Sequence, residues 1–321
     1  MASLLSVSRL SVAYQLTDLI APALNDVSIE IPSPGYTLGL VGESGSGKTT
    51  LGVSLMNGVE SPGRIISGKI EFEGNDILKF GDSELRRYRW GDVAMIYQSA
   101  MNSLNPIKKV SEHITEVIRK HGDASKSEAY KQAIQLLDEV NIKEDRANDY
   151  PHELSGGMRQ RVVIALAMAL SPKVLIADEP TSALDVVTQK QILGMIKKQV
   201  RDRGLAMLMI THDISILVGL VDNIAVLHRG EIVEIGSLEE VLESPLHPYS
   251  EVLVSSTLTM DANRDILQQF RGKRSKDSIM TTVGSHCKYA SRCKYVFGRC
   301  QIESPVLREV KNGRWVACHK Y

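Results

Sequence analysis

The chain has 321 residues, of which 43% are hydrophobic and 24% charged, and its 38 basic and 38 acidic residues leave no net charge. This length accommodates one large domain and a smaller appendage. A neutral chain gives no support for a protein that coats nucleic acid, which is usually basic, although a local basic patch stays open.

Nothing in the sequence approaches the roughly 20 consecutive apolar residues that span a bilayer. The longest apolar run covers 162–170, and the first fifteen residues lack the basic start and apolar core of a secretory signal. We therefore expect a protein that stays where it is made. Other chains would supply the membrane part of any membrane process.

The predicted elements alternate between strands and helices, which indicates an α/β fold with a parallel sheet covered on both faces. Between 108 and 147, apolar residues recur at helical spacing among many charges, which predicts a small helical subdomain. The basic run 271–278 favours a solvated linker over a contact with a membrane or nucleic acid. Strands are predicted over 4–13, 27–31, 36–41, 64–80 with a turn at 74–75, 93–97, 174–177, 206–210 and the hairpin 224–236, and further helices after residue 50 and over 155–170 and 188–203.

A glycine-rich turn joins the strand at 36–41 to the next helix and fits the pattern G-x-x-x-x-G-K-[ST]. Glycines let the backbone wrap around a phosphate, and the helix start adds its positive dipole end. Lys48 would reach the β- and γ-phosphates, and the Thr49 hydroxyl would bind Mg²⁺. The alternative is a chance glycine-rich turn, which the strand before and the helix after disfavour. The nucleotide-binding candidates here are Gly42, Ser44, Gly45, Ser46, Gly47, Lys48, Thr49 and Thr50.

Two adjacent acids end the buried strand at 174–177. Asp178 would hold Mg²⁺ through water, and Glu179 would polarise the attacking water. The alternative is an ordinary helix-capping acid after a strand.

A second Ser-Gly-Gly turn opens the helix at 155–170, and the segment Leu154–Arg161 closely resembles the LSGGQ-type signature of ABC ATPases, with Met158 where glutamine is usual. Such a turn offers N–H groups and a hydroxyl to a phosphate. A chain with one glycine-rich phosphate turn has a use for a second if it faces the nucleotide of another subunit. Ser155, Gly156 and Gly157 would then bind the γ-phosphate in trans.

The remaining elements of the ABC family follow in order, and the resemblance covers about residues 4–240. It implies that Gln98 contacts Mg²⁺ and the lytic water. It further implies that Asp185, at the end of Ser182-Ala183-Leu184-Asp185, lies in the D-loop at a dimer interface, and that His212 senses the γ-phosphate. Tyr14 is the candidate for stacking on adenine. Its separation from Lys48 along the chain is longer than usual, because residues 15–23 look inserted, and a tyrosine of the core is the alternative.

Three further segments narrow the resemblance to the ATPases of oligopeptide/dipeptide importers. They are SLNP at 103–106, His247-Pro248-Tyr249, and the cysteine-containing tail. The resemblance extends over nearly the whole chain. It implies a P-loop NTPase core of RecA-like type with an antiparallel β subdomain at 1–97 and 165–240, a helical subdomain at 98–164, and a C-terminal extension at 241–321.

All four cysteines lie in that extension, as Cys287, Cys293, Cys300 and Cys318. Four thiolates can hold a tetrahedral Zn²⁺ or an iron–sulfur cluster. The tight C-x2–4-C knuckle of zinc sites is absent, and some relatives carry a [4Fe–4S] cluster, so a cluster is favoured over zinc. Two disulfides are a third possibility, disfavoured in the cytosol.

The function implied is ATP hydrolysis that drives the import of a solute. The chain itself would lie at the cytoplasmic face of the cell membrane. The implied partners are a paralogous ATPase subunit, or a second copy, with two separate permease chains and an extracellular solute-binding protein, and no nucleic acid. The sequence does not distinguish a peptide from an oligosaccharide or disaccharide. A soluble ABC ATPase of DNA repair, translation or iron–sulfur assembly is the alternative, and it usually shows a coiled-coil insertion or two cassettes.

Overall fold

The structure is a computed structural model that describes residues 3–16, 19–258 and 286–321. The predicted linker at 271–278 lies outside the described residues. The chain divides into two compact units. The first comprises Met1–Leu5, Ile31–Thr37 and Phe72–Ile210, and the second comprises Ser6–Glu30, Leu38–Glu71 and Thr211–Tyr321.

Strands and helices are numbered in chain order. The strands are β1 (Leu5–Leu16), β2 (Leu19–Ile31), β3 (Thr37–Val41), β4 (Gly63–Phe72), β5 (Asn75–Asp76), β6 (Val93–Ile96), β7 (Val174–Asp178), β8 (Ala206–Thr211), β9 (Asn223–His228), β10 (Glu231–Ser237), β11 (Arg308–Lys311) and β12 (Arg314–Val316). The α-helices are α1 (Lys48–Leu55), α2 (Asp82–Arg87), α3 (Val110–His121), α4 (Lys126–Glu139), α5 (Gly156–Ala167), α6 (Val186–Arg203), α7 (Leu238–Glu243), α8 (Pro248–Leu258) and α9 (Gly298–Ile302).

The first unit is built on three parallel strands in the order β8-β7-β6. Every residue of β6 and β7 is buried, which is why both read as uninterrupted apolar runs in the sequence. Helix α5 packs on β6 and contacts α3, α4 and α6. This packing holds the carboxyl end of β7 and the N-terminus of α5 in fixed positions.

The region predicted to be helical contains α3 and α4, which pack on each other. Ile114 and Ile118 bury one face of α3. Helix α4 begins with a capping box, in which the Ser125 hydroxyl accepts the Glu128 N–H and the Glu128 carboxylate accepts the Ser125 N–H. The apolar spacing and this local capping signal both lie in the sequence, and the predicted helical conformation is confirmed, while a separate subdomain stays a prediction.

In the second unit the strands run in the order β11-β12-β10-β9-β3. Strand β9 is parallel to β3 and antiparallel to β10, which in turn is antiparallel to β12. The predicted hairpin turns at Arg229 and Gly230, whose φ angles of 46° and 80° are the left-handed values that a tight hairpin requires. A separate sheet places β2, β1 and β4 side by side.

Two predictions differ from the structure. Residues 77–79 form a 3-10 turn instead of a strand, because the Asp76 carboxylate accepts the Leu78 N–H at 3.2 Å and caps it. The first two strands are longer than predicted, because β1 continues beyond residue 13 to Leu16 and β2 begins at Leu19 instead of residue 27. Within the described ranges, no helix combines the length and the apolar character needed to cross a membrane.

Candidate functional site

The predicted site residues fall in both compact units. The first unit holds Gln98, Ser155, Gly156, Gly157, Asp178, Glu179 and Asp185. The second unit holds Tyr14, residues 42–50, His212 and the four cysteines.

The phosphate loop, defined as residues 42–49, joins β3 to α1. Gly45 and Gly47 have φ angles of 78° and 105°, which glycine adopts without strain. A Cβ atom on Gly42 would lie 2.1 Å from the carbonyl oxygen of Leu227 in β9. Glycine at Gly42 lets this loop lie directly against a neighbouring strand.

Two side chains inside the phosphate loop suit a phosphate group. Lys48 Nζ donates to the carbonyl oxygens of Gly42 and Glu43, at 2.9 Å each. The Ser46 hydroxyl is buried and has no hydrogen-bond partner among the described residues. A buried hydroxyl without a partner is unfavourable, and a phosphate oxygen would satisfy it. Thr49 is exposed, so its hydroxyl is accessible to a metal ion.

The two acids at the end of β7 differ in environment. Asp178 is buried, with 1% of its surface exposed. Glu179 is partly exposed and has a φ of 44°, a strained value for a residue with a side chain. Its backbone N–H donates to the carbonyl of Ile210 at 2.9 Å, which holds that conformation.

Gln98, which follows β6, lies beside Glu179. The Gln98 Nε2 group donates to Glu179 Oε2 at 3.2 Å. The sequence assigned both residues to the lytic water, and the structure brings them together. Ser99, next in the chain, has a φ of 59°, so the backbone turns sharply at this point.

The Ser-Gly-Gly turn lies at the start of α5, where the sequence predicts a helix to begin. Ser155 is the N-cap, and its hydroxyl oxygen accepts the Met158 N–H at 3.3 Å. Because a hydroxyl also donates one hydrogen bond, Ser155 keeps a donor for a phosphate oxygen. The N-terminus of α5 adds the positive end of the helix dipole.

Gly157 lies against the start of α6. A Cβ atom on Gly157 would lie 2.7 Å from Cγ2 of Thr188. Thr188 is in turn fixed by Asp185, whose Oδ2 accepts its hydroxyl at 2.7 Å and whose Oδ1 accepts its N–H at 3.0 Å. The hydroxyl hydrogen bond is the main reason that the pKa of Asp185 is lowered. The contact joins the Ser-Gly-Gly turn to the predicted D-loop, and no sequence pattern indicates this role of Thr188.

His212 follows β8 and is exposed. The next residue, Asp213, caps a short 3-10 turn by accepting the Ser215 N–H at 2.9 Å, and Thr211 Oγ1 accepts the Asp213 N–H at 3.1 Å. These bonds fix the backbone on both sides of His212. Tyr14 is partly buried in β1, with its ring close to Gly63, and its stacking role stays a prediction.

The four cysteines line a single small cavity and all are free thiols. Burial raises the pKa of Cys287, Cys293 and Cys318. In the part of the chain that the structure describes, no three His, Cys, Asp or Glu side chains are arranged to hold a metal ion. The cavity supports the predicted clustering of the thiols, and metal binding stays a prediction.

Two residues near the phosphate loop escaped sequence reasoning. The hydroxyl of Tyr249 accepts the Glu43 N–H at 2.8 Å, and the Arg292 guanidinium pairs with the Glu43 carboxylate through Nη1 and Nη2, each at 3.1 Å from Oε1. Tyr249 belongs to the His-Pro-Tyr segment, which was recognised only as a family resemblance. Arg292 is 249 positions from Glu43, and no local pattern could indicate that pair.

Comparison with known proteins agrees with this geometry. The family described as ABC transporter matches residues 24–182, and the family described as oligopeptide/dipeptide transporter, C-terminal region, matches residues 233–300. A dimeric ATP-binding cassette, MJ0796, solved with ADP and Pi, superposes with a TM-score of 0.65 at 28% identity, covering 73% of this chain and 98% of that one. The fold and the phosphate loop therefore define an ABC-type ATPase.

Full-length relatives narrow this class. The oligopeptide transport ATP-binding protein AppD of Bacillus subtilis is 38% identical across 100% of this chain and 98% of its own length. OppD of Escherichia coli is 38% identical over 99% and 93%, and the dipeptide transport protein DppD of the same species is 36% identical over 99% and 96%. The chain belongs to the oligopeptide/dipeptide family of ABC transporter ATP-binding subunits.

Proposed function

We propose that this chain lies at the cytoplasmic face of the cell membrane and powers the import of oligopeptides or dipeptides into the cell. The observation that carries the proposal is the similarity over essentially the whole chain to relatives named for oligopeptide or dipeptide transport. The sequence left a sugar open as the solute. The names of these relatives favour a peptide.

In this proposal the phosphate loop binds the phosphates of ATP, with Lys48 and the buried Ser46 hydroxyl as its side-chain donors. Glu179 accepts a proton from the attacking water, and Gln98 orients the same carboxylate through the observed hydrogen bond. His212 contacts the γ-phosphate, and Tyr14 stacks on adenine.

Mg²⁺ is the metal ion proposed for the nucleotide site. The exposed Thr49 hydroxyl, the Asp178 carboxylate and the Gln98 amide oxygen are the oxygen donors that this ion prefers. Bound there, Mg²⁺ would neutralise charge on the β- and γ-phosphates.

The second phosphate-binding turn supports a dimer in which each subunit completes the other's site. Ser155, Gly156 and Gly157 then bind the γ-phosphate held by the partner, and the Asp185 segment lies at the interface. A dimeric cassette of the same fold supports this arrangement. The partner is a paralogous ATPase subunit, with a second copy as the alternative.

The helical subdomain proposed at 98–164 offers a surface for the two permease chains, which would act with an extracellular solute-binding protein. Ile107 is 81% exposed, unusual for an isoleucine, and lies between Gln98 and α3. Basic residues beside it, including Lys108 and Lys109, line an open cavity along α3 and α4. An exposed apolar residue followed in the chain by basic residues suits a short helix that carries both kinds of side chain.

The C-terminal extension, proposed at 241–321, would hold a metal centre. The four free thiols that line one cavity are the type of ligand that a [4Fe–4S] cluster or a zinc ion takes. Its role would be structural, tying together a short segment with little core of its own. Iron, sulfide and zinc contents of protein purified without oxygen test this. Four iron and four sulfide per chain indicate the cluster, and one zinc indicates the alternative. Protein that contains neither the cluster nor zinc would contradict the proposal.

The role of Glu179 is tested by Glu179→Gln, which keeps the size of the side chain and its hydrogen bond to Gln98. We expect hydrolysis to fall by at least about 100-fold, because a general base contributes roughly 10²–10⁴. MgATP affinity should stay within about twofold, and an ATP-bound dimer should accumulate on gel filtration. Glu144→Gln, at an exposed position of the same unit, is the matched control. Normal turnover in Glu179→Gln would remove that residue from its role.

Transport itself is tested by co-purification and uptake. We expect two polytopic membrane proteins to co-purify with the chain, and the reconstituted complex to take up a labelled peptide but not a disaccharide in the presence of ATP. Ile107→Asp should weaken that association. Failure to bind any permease would favour the alternative of a soluble ABC ATPase.

A further inference from the structure

Every polar group of Glu43, the second residue of the phosphate loop, is engaged. Its carbonyl oxygen accepts the Ser46 N–H at 3.2 Å and Lys48 Nζ at 2.9 Å, both inside the loop. Its N–H and its carboxylate instead point to the C-terminal extension, to Tyr249 and Arg292. Glu43 therefore connects the inner hydrogen bonds of the loop to a distant part of the chain.

A second connection reaches the loop at Ser46. The Ser46 carbonyl accepts the Gly230 N–H at 2.8 Å, so the turn between β9 and β10 supports the loop from below. Lys288 Nζ donates to the carbonyl of the neighbouring Arg229 at 3.0 Å and pairs with Glu231 at 3.0 Å. The C-terminal extension therefore contacts the turn between β9 and β10, and this turn contacts the phosphate loop.

Both connections originate in residues 287–293, which we call the bridging segment. It contains Lys288, Tyr289 and Arg292 and is bounded by the first two cysteines. The Tyr289 ring is buried and contacts the buried Tyr249 ring edge to face at 5.6 Å, while the Arg292 guanidinium lies 5.8 Å from the Tyr289 ring centre. Aromatic packing fixes the two residues that contact Glu43 relative to each other.

We propose that the bridging segment is a positioning element of the nucleotide site, and that Arg292 and Tyr249 hold the phosphate loop in its phosphate-binding conformation through Glu43. The physical reason is preorganisation, since a loop already ordered loses less conformational entropy when ATP binds. The proposal depends on ATP binding by this family, and not on the solute carried or the metal held.

The test is a double-mutant cycle on MgATP affinity, measured by calorimetry with the full chain. The Arg292 and Glu43 side chains are 39% and 50% exposed, so the pair is worth little more than a surface ion pair. Glu43→Gln and Arg292→Gln should each weaken MgATP binding about two- to fivefold, and the double variant should be no weaker than either alone. The turnover number of Arg292→Gln at saturating ATP should stay unchanged, since Arg292 lies outside the phosphate loop and does not touch the reacting atoms.

Tyr249→Phe removes the only acceptor that the described residues give the Glu43 N–H while keeping the ring packing. We expect it to weaken MgATP binding about five- to tenfold, again at an unchanged turnover number, because the amide loses its partner. Tyr295→Phe, at an exposed tyrosine of the same extension, is its control.

Arg299→Gln is the matched control for Arg292→Gln. Arg299 lies in the same extension and pairs with Glu303 through two nitrogens, and among the described residues its guanidinium hydrogen bonds go to Glu303 and not to the phosphate loop. Equal affinities of Arg292→Gln and Arg299→Gln, or additive effects in the cycle, would overturn the proposal. If Arg292→Gln fails to fold, the exchanged pair Glu43→Arg with Arg292→Glu decides, because recovery of affinity relative to Glu43→Arg alone supports the contact and its absence refutes it.

Metal analysis of each variant separates this proposal from the metal centre. Glu43 lies outside the bridging segment, so Glu43→Gln should weaken MgATP binding at an unchanged iron and zinc content. A loss of affinity that appears only in preparations that have also lost metal would assign the effect to the cysteine site and refute positioning through Glu43.

Discussion

Gly157→Ala tests the contact between the Ser-Gly-Gly turn and α6. The added methyl would lie 2.7 Å from Thr188 Cγ2, roughly 0.8 Å inside the 3.5 Å at which carbon atoms attract. The Thr188 side chain cannot rotate away without losing the hydrogen bond from its hydroxyl to Asp185. Overpacking of this kind costs about 1–3 kcal/mol, and the better helix propensity of alanine returns up to about 1 kcal/mol. We expect a net loss of about 1–2 kcal/mol, measured by denaturant unfolding of the isolated chain.

A second substitution identifies the cause. Thr188→Ser removes the clashing methyl but keeps the hydroxyl that Asp185 accepts, so Gly157→Ala with Thr188→Ser should regain most of the lost stability. Gly194→Ala is the matched control, because a methyl there meets nothing within 4 Å and alanine is the better helix former. Wild-type stability of Gly157→Ala, or no recovery in the double variant, would refute the steric reasoning.

Three other perturbations follow from the structure. Gly42→Ala places a methyl 2.1 Å from a backbone carbonyl of β9 that cannot rotate away, so MgATP binding measured by calorimetry should fall by at least about tenfold while Gly91→Ala, with open space around it, binds normally. Glu234→Gln leaves Arg314, 5% exposed, without its carboxylate partner at 2.8 Å, so thermal unfolding should show a loss of about 3 kcal/mol or more. Hydrogen bonds from α6, above all from the Thr188 hydroxyl, lower the pKa of Asp185. The stabilisation by the Asp185 carboxylate should therefore be complete above its ordinary pKa of 3.8 and be lost as the pH falls below that value. Asp185→Asn, which cannot titrate, should not show this loss in acid unfolding.

The sequence predicted elements whose signals are local. Strand β7 is an apolar run that ends in Asp178 and is followed directly by Glu179, and α4 carries both an apolar face and its own capping box. Residues 77–79 show the limit of such reasoning, because their apolar character suited a strand while a single capping carboxylate decided for a 3-10 turn. Hydrophobic pattern identifies burial, and short polar contacts decide the conformation at element ends.

The candidate site also has parts that the sequence predicts and parts that it does not. The phosphate loop, the acids after β7 and the Ser-Gly-Gly turn are contiguous segments in which residue type and order specify the chemistry. The contacts that fix those segments are pairs distant in sequence, such as Gly157 with Thr188 and Glu43 with Arg292. Neither member of such a pair is unusual alone, so one sequence contains no signal for it.

The strained backbone at Glu179 depends on contacts between strands as well as on residue type. The sequence Asp-Glu-Pro names an acid after a strand but does not say that its φ is 44°. That conformation is held by the Ile210 carbonyl, which accepts the Glu179 N–H from the adjacent strand β8. A residue kept in a strained conformation by its neighbours has a side-chain direction set by the sheet and not by its own preference. The position of the Glu179 carboxylate beside Gln98 is thus a property of three parallel strands, and the acid supplies only the chemistry.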